Sequence, residues 1–259
     1  MSSQDKMLAL LDAFSVDAPV WSAEELVARF GLPPSTCYRY LKSLHQAGLL
    51  ARVGSGSYVV GPRVLALDRI SRQSDPVYAV GSPVVAALSK RTGFSALLSV
   101  LYSESVMCVQ QVTTDDAPPG LFGRGQQRPL VAGATANIIL AHLPPHQLRS
   151  VFKKQRERIA AAGLGKDWDT LRSALAAIRQ QGYSFSLGEY RPGIAGLAAP
   201  LFNKDGEVLG SIALATSTRS PQLEKFKALA PAVVKAAAAI SSGIADSANV
   251  VDLPARALG

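Results

Sequence analysis

The 259-residue chain reads as an α+β protein in two parts: a small N-terminal unit of helices closed by a β-hairpin, then a larger domain of antiparallel sheet with flanking helices. Three observations predict this. Through residues 5–47 apolar side chains recur at three- and four-residue spacing, the period of helices with one buried stripe. Two pairs of alternating apolar runs, residues 94–101 with 106–112 and 194–202 with 207–216, flank the turn residues Tyr102-Ser103-Glu104-Ser105 and Asn203-Lys204-Asp205-Gly206, as hairpins do. Helical patterns near residues 131–141, 145–162 and 168–181 are interposed between those hairpins, which places helices against antiparallel strands.

The elements follow in order. Met7, Leu8, Leu10, Leu11 and Phe14 make the apolar stripe of a first helix over residues 5–14. Ser22 before Glu24 and Glu25 forms a capping box for a second, which runs to Phe30 and ends at Gly31. Leu32-Pro33-Pro34 is a tight turn, and a third helix begins near Pro34 or Ser35 with Cys37, Tyr40, Leu41 and Leu44 on one face. Ser35, Thr36, Tyr38, Arg39 and Lys42 are left outside that face. Gly48 closes the helix; residues 49–53 and 57–60 then read as two strands around Gly54-Ser55-Gly56, a wing that carries Arg52 and Ser57. Gly61-Pro62 stops the wing, helical spacing resumes over residues 64–72, and Pro76 marks the start of another helix to about Thr92, with Pro83 removing one of its hydrogen bonds. The expected divisions are residues 1–62, a linker helix at 63–75, and a second domain at 76–259. A last helix is expected over residues 221–244, with Ser220 as its cap and Pro221 at its first position.

Composition excludes several classes. Hydrophobic residues at 48%, charged residues at 18%, 21 Gly and 16 Pro are incompatible with disorder, a collagen repeat or a disulfide scaffold. The longest apolar run, residues 229–240, is interrupted by Lys235 and falls short of the roughly 20 residues of a membrane span, so no span is expected. The first ten residues lack the pattern of an export signal, and Cys37 and Cys108 read as buried thiols; a cytoplasmic address is expected.

Charge points to a partner. The chain carries +8 overall, and between residues 29 and 72 seven basic side chains (Arg29, Arg39, Lys42, Arg52, Arg63, Arg69, Arg72) face Asp68 alone. Hydroxyls and cations on the free face of a short third helix are the groups that reach base edges and phosphates in a major groove, so this stretch reads as a winged helix-turn-helix bound to double-stranded DNA. A second basic block, residues 149–179, reads as the solvated face of amphipathic helices.

Several segments in order are similar to one family. Gly31-Leu32-Pro33-Pro34-Ser35-Thr36-Cys37-Tyr38-Arg39 resembles the turn and recognition helix of the IclR-type bacterial transcriptional regulators, and Tyr58-Val59-Val60-Gly61-Pro62-Arg63-Val64-Leu65 resembles their wing exit. Gln181-Gly182-Tyr183-Ser184, then Glu189, Gly193-Ile194 and Leu197-Ala198-Ala199-Pro200, resembles their C-terminal signature. The resemblance covers nearly the whole chain. It implies a linker helix leading to a GAF-like effector-binding domain, and homodimers or homotetramers on a palindromic operator.

Catalysis is not expected. His142-Leu143-Pro144-Pro145-His146 crosses a Pro-Pro break, so its imidazoles do not share a helical face as a metal pair would. Cys108 lies in an apolar strand, where a buried thiol is a poor nucleophile. No GxSxG, P-loop or GxGxxG motif in strand context is present, so no nucleotide cofactor is expected; Gly120-Leu121-Phe122-Gly123-Arg124-Gly125 covers the effector pocket or is a plain surface turn. The competing reading, an architectural DNA-binding protein, leaves the long second domain without a purpose.

What the family resemblance implies for the pocket is shaped by departures from it. Gly133 stands where a hydroxyl is usual, Ser186 where some members have Asp, Gly196 where many have Cys, and Ala213 and Ala215 where serines are frequent. Each removes volume or a polar atom, so the expected effector is an aromatic or partly apolar organic acid larger than glyoxylate or pyruvate. The expected lining is Leu121, Arg124, Gly133, Ala134, Asn137, Ser186, Glu189, Gly196, Ala213 and Ala215, with Asn137, Ser186, Glu189 and Arg124 as polar anchors.

Overall fold

Local capping sets the N-terminal elements. In a computed structural model, which describes residues 2–54 and 56–247, Ser22 Oγ accepts from Glu25 N at 3.2 Å while the Glu25 carboxylate accepts from Ser22 N at 2.7 Å. This box opens α2 (Ala23–Phe30), and Gly31, at φ 60°, ends it in the left-handed region that a Cβ disfavours. Before it stand α1 (Ser3–Ala9), a 3₁₀ turn (Leu10–Ala13) and a two-residue strand β1 (Trp21–Ser22). The first helix is therefore shorter than its apolar stripe, which continues into the 3₁₀ turn. After it come α3 (Pro34–Gln46), β2 (Leu50–Val53), β3 (Ser57–Val60) and α4 (Arg63–Ser74). Cys37, Tyr40, Leu41 and Leu44 of α3 pack with Leu10, Leu26, Leu50 and Tyr58 in one core. The wing gains an unexpected strand: β1 pairs with β3, giving the order β1-β3-β2. Ser55, at the tip of the wing turn, lies outside the described residues.

The chain divides into two units, Met1–Gln73 and Ser74–Gly259. The second begins with α5 (Pro76–Thr92), capped by the Asp75 carboxylate, which accepts from Val77 N at 2.9 Å. Strands β4 (Ser95–Tyr102), β5 (Ser105–Val112) and β6 (Gln127–Pro129) follow, then α6 (Ala134–His142), α7 (Pro145–Ala161) and α8 (Trp168–Gln181). Next come β7 (Ser184–Leu187), β8 (Ile194–Phe202) and β9 (Val208–Ser217), with α9 (Leu223–Lys227) and α10 (Ala230–Asp246) closing the described chain. The six strands form an antiparallel sheet in the order β6-β5-β4-β9-β8-β7. Its alternating residues feed two cores. Ala96, Leu98, Leu197, Leu214 and Ile212 meet Val85, Phe226, Val233 and Ile240 of α5, α9 and α10. Leu97, Cys108, Ala198, Ala213 and Ala215, on the opposite face, meet Ile138 and Ala141 of α6.

The C-terminal segment corrects two expectations. It is two helices rather than one, broken at Ala228 and Leu229, and Ser220 does not cap it; its hydroxyl accepts from Gln222 N at 3.2 Å in a turn ahead of α9. Leu223–Ala245 spans 23 residues and is, by length and composition, apolar enough to cross a membrane, contrary to the expected shortfall. Phe226, Val233, Ala237 and Ile240 are nonetheless buried against the sheet, which is where that apolarity is used. The expected second domain includes residues 248–259, which lie outside the described residues.

Candidate functional site

Two sets of residues stand out, one in each unit. On α3 the structure keeps Ser35, Tyr38, Arg39 and Lys42 exposed and Thr36 half-buried, on the side away from the Cys37–Leu41–Leu44 stripe. Arg39 lies 5.7 Å from the Tyr40 ring and is otherwise turned to solvent. Tyr38 differs from the others. Its hydroxyl donates to Glu24 Oε1 of α2 at 2.6 Å, a bond that lowers the Glu24 carboxyl and raises the Tyr38 phenol. Tyr38 thus bridges α2 and α3. In the wing Arg52 is exposed beside the Tyr58 ring at 5.8 Å, and Ser57 is half-buried in the ladder opposite Ser22 and Val53. Part of the other basic block is engaged in local structure: Arg149 stacks on Trp168 at 4.6 Å, and Arg156 and Arg179 donate to the carbonyls of Lys166 and Ala141.

The second set gathers on the α6 face of the large sheet. Gly196 of β8 sits under Ala134, the first residue of α6: a Cβ built there would come within 2.9 Å of Ser186 Oγ and 3.2 Å of Ala134 Cβ. Gly133, at φ 83°, precedes α6, and a Cβ on it would meet Tyr190 at 3.1 Å. Gly133, Ala134, Ser186 and Gly196 are therefore neighbours, and the absent side chains are what let α6 approach the sheet. Ala213 and Ala215 of β9 project from the same face. Leu121 packs against this core, and Asn137 is buried within α6 with its Oδ1 lacking a hydrogen-bond partner. Two other predicted residues stand apart. Arg124 donates to the Val109 carbonyl and lies 5.1 Å from the Tyr78 ring of α5; Glu189 is exposed and accepts from Leu187 N at 2.7 Å.

The structure adds polar groups that sequence patterning missed. Ser99 and Ser211 face each other across β4 and β9 on the α6 side, both hydroxyls buried without partners. Arg128 of β6, opposite Val106, projects onto the same face. Its guanidinium lies 4.5 Å from the Phe122 ring and 4.8 Å from the Tyr190 ring, and its Nε is buried without a hydrogen-bond partner. Burial pulls this group down to about 10, so it stays charged at neutral pH. The signal available in the sequence was slight: one arginine directly ahead of the apolar run Pro129-Leu130-Val131. The loop at residues 120–125 does reach this face, since Phe122 is buried beside Cys108.

The arrangement is one for binding rather than bond-breaking. Burial pushes the Cys108 thiol up to about 12, which removes the thiolate a nucleophile requires. His142 stacks edge-on against Phe202 at 5.0 Å, where burial, then Arg179, lowers its proton affinity. Among the described residues no cluster of His, Cys, Asp or Glu could hold a metal ion.

Comparison with known proteins gives the same reading. Residues 3–54 match the IclR helix-turn-helix domain and residues 71–242 match the bacterial transcriptional regulator IclR C-terminal domain. The chain is 28% identical over 229 residues to the HTH-type transcriptional regulator KipR of Bacillus subtilis, which covers 86% of this chain and 91% of that one. It is 27% identical over 243 residues to the HTH-type transcriptional regulator BhcR of Paracoccus denitrificans, covering 93% and 86%. Among solved structures, an IclR homolog from Microbacterium hydrocarbonoxydans complexed with 4-hydroxybenzoate shares the fold, with a TM-score of 0.81 at 23% identity over 95% of this chain and 100% of that one. The Thermotoga maritima IclR shares it at a TM-score of 0.72 and 20% identity, over 94% and 98%. With both of its units matched in order, and its relatives regulators rather than enzymes, the chain belongs to the IclR family of DNA-binding transcriptional regulators.

Proposed function

We propose that this regulator controls a catabolic operon in the cytoplasm in response to an aromatic or partly apolar organic acid, held between α6 and the sheet. One observation carries the reading. Small residues (Gly133, Ala134, Gly196, Ala213, Ala215) and buried, unpartnered polar atoms (Asn137 Oδ1, Ser99 Oγ, Ser211 Oγ) lie on one sheet face. Buried polar atoms are costly unless bonded, and a ligand that supplies partners removes that cost. Two- and three-carbon acids bury too little apolar surface to exploit such a site at about 25 cal/mol per Å². The 4-hydroxybenzoate in the Microbacterium homolog, a protein of the same fold, supports a ligand of this size.

The DNA-binding residues in this reading are Ser35, Thr36, Tyr38, Arg39, Lys42, Arg52 and Ser57, and the divisions are residues 1–62, 63–75 and 76–259. A helix-turn-helix grips one half-site, so a palindromic operator calls for two copies. Val64, Leu65 and Leu67 of α4 are exposed, Leu65 at 75%, and a second chain covering them supplies the homodimer or a tetramer built from it. A thermal-shift screen of the full chain against small organic acids tests the effector: benzoate-sized acids are expected to raise the melting temperature. Stabilisation by glyoxylate or pyruvate alone would overturn the reading.

A further inference from the structure

Five arginines of this chain hold backbone carbonyls. Arg63, Arg124, Arg156, Arg179 and Arg191 donate to the backbone oxygens of Ala47, Val109, Lys166, Ala141 and Gly120. Such bonds are what normally make a guanidinium tolerable away from water. Arg128 is more deeply enclosed, yet its Nε is buried and unpartnered, and the Phe122 and Tyr190 rings lie 4.5 and 4.8 Å from its guanidinium carbon. Phe122 and Tyr190 thereby crowd the group while leaving its Nε uncommitted. Among the described residues no carboxylate pairs with it: Glu104 pairs with Lys154 at 3.3 Å and Glu189 accepts from Leu187 N. The groups that act on it electrostatically are Cys108, whose thiol burial keeps protonated, and the Tyr190 phenol. A Cβ on Gly133, the residue ahead of α6, would meet Tyr190 at 3.1 Å, so Arg128 adjoins the site already described.

We infer that Arg128 is the anion-recognition residue of the effector site, and that the ligand presents a carboxylate to its Nε and Nη edge. This rests on the effector reading above and deepens it: the acid group is the required part of the ligand and the aromatic body is the adaptable part. A guanidinium offers two parallel donors to a carboxylate, a geometry that an amide of the same shape cannot match. Tyr190, 42% exposed in the loop between Gly188 and Gly193, makes the outer wall of this anchor.

Titration calorimetry of the full chain with benzoate, 4-hydroxybenzoate and benzamide tests it. At least one acid is expected to bind at least about tenfold more tightly than benzamide, and Arg128→Met to cut acid affinity by about tenfold or more with the benzamide affinity kept. Arg128→Lys, which keeps the charge and loses the fork, is expected to fall between. The melting temperature of unliganded Arg128→Met should hold or rise, because an unpaired buried charge has been removed. Equal binding of acid and amide by the unaltered chain, or acid binding kept within about threefold in Arg128→Met, overturns the anion anchor and leaves the effector site standing. Binding of none of the three overturns both. A large fall in the melting temperature of Arg128→Met with acid preferred no longer than amide makes Arg128 a structural stacking residue and also overturns the anchor.

Discussion

Arg39 and Lys42 share the solvent side of α3 but differ in what they can read. A guanidinium fork can grip the major-groove edge of guanine, a discrimination of about 1–3 kcal/mol, whereas an ammonium on a flexible stem serves any phosphate. Arg39→Ala is expected to weaken operator binding far more than binding to random DNA, and Lys42→Ala to weaken both alike and reduce the salt slope by about one. Footprinting on the two DNAs decides between them, and equal losses for Arg39→Ala would remove its base-reading role. His142 gives a prediction in pH. Its folded proton affinity is lowered, first by burial and then by Arg179, so the unfolded chain binds the proton more readily. Its neutral form supports the fold above the ordinary imidazole pKa of about 6.5, and that support is lost as pH falls from there toward the lower folded value. His142→Phe, which retains a ring against Phe202, should therefore flatten the decline in melting temperature below about pH 6.5; an unchanged acid limb would show that other groups set it. At this scale legibility varied with how far a contact reaches. Gly133, Ala134, Ser186 and Gly196 followed from the family resemblance, while the pairing of β7 with β8 and the packing of α6 on them bring these residues together. Arg124 and Arg128 are four positions apart on one loop-to-strand segment, and which one turns onto the α6 face depends on the pairing of Arg128 with Val106, a long-range register.

Elements with their own end signals were the ones readable from the chain. Ser22 with Glu25 and then Gly31 bound α2; Asp167 with Thr170 and then Gly182 bound α8, whose ends coincide with the predicted ones. These signals act over three or four residues and need no partner element. The short strands β1, β6 and β7 carry no comparable mark. A strand of two to four residues exists because a neighbouring strand offers its free edge: β3 for β1, β5 for β6, β8 for β7. Only tertiary structure creates those edges. The break between α9 and α10 was invisible for a related reason. Residues 228–232, Ala-Leu-Ala-Pro-Ala, read as helix, but Pro231 belongs in a first turn, and a new start at Ala230 accommodates it while Phe226 and Val233 both reach the sheet.

For the whole molecule, the two units matter to each other only through free energy. An effector bound on the sheet changes operator affinity solely by favouring one arrangement of the chain over another, and operator DNA must then change effector affinity by the same factor. That equality is a thermodynamic necessity at equilibrium and needs no structural pathway. The route, however, is open to test, and α4 is the candidate because it spans the junction between residues 73 and 74 and carries no buried residue of its own. Such a helix transmits by stiffness rather than by packing. Leu67 lies in its interior, so Leu67→Pro removes a hydrogen bond and kinks the rod at a cost of about 3 kcal/mol or more to the helix alone, with the cores of both units untouched. Effector affinity measured without DNA is expected to persist in Leu67→Pro, while the coupling factor, measured by titrating effector with and without operator, falls toward one in both directions. Retention of the full factor would place the coupling outside α4, and loss of effector binding itself would show that the helix supports the ligand site rather than linking it to DNA.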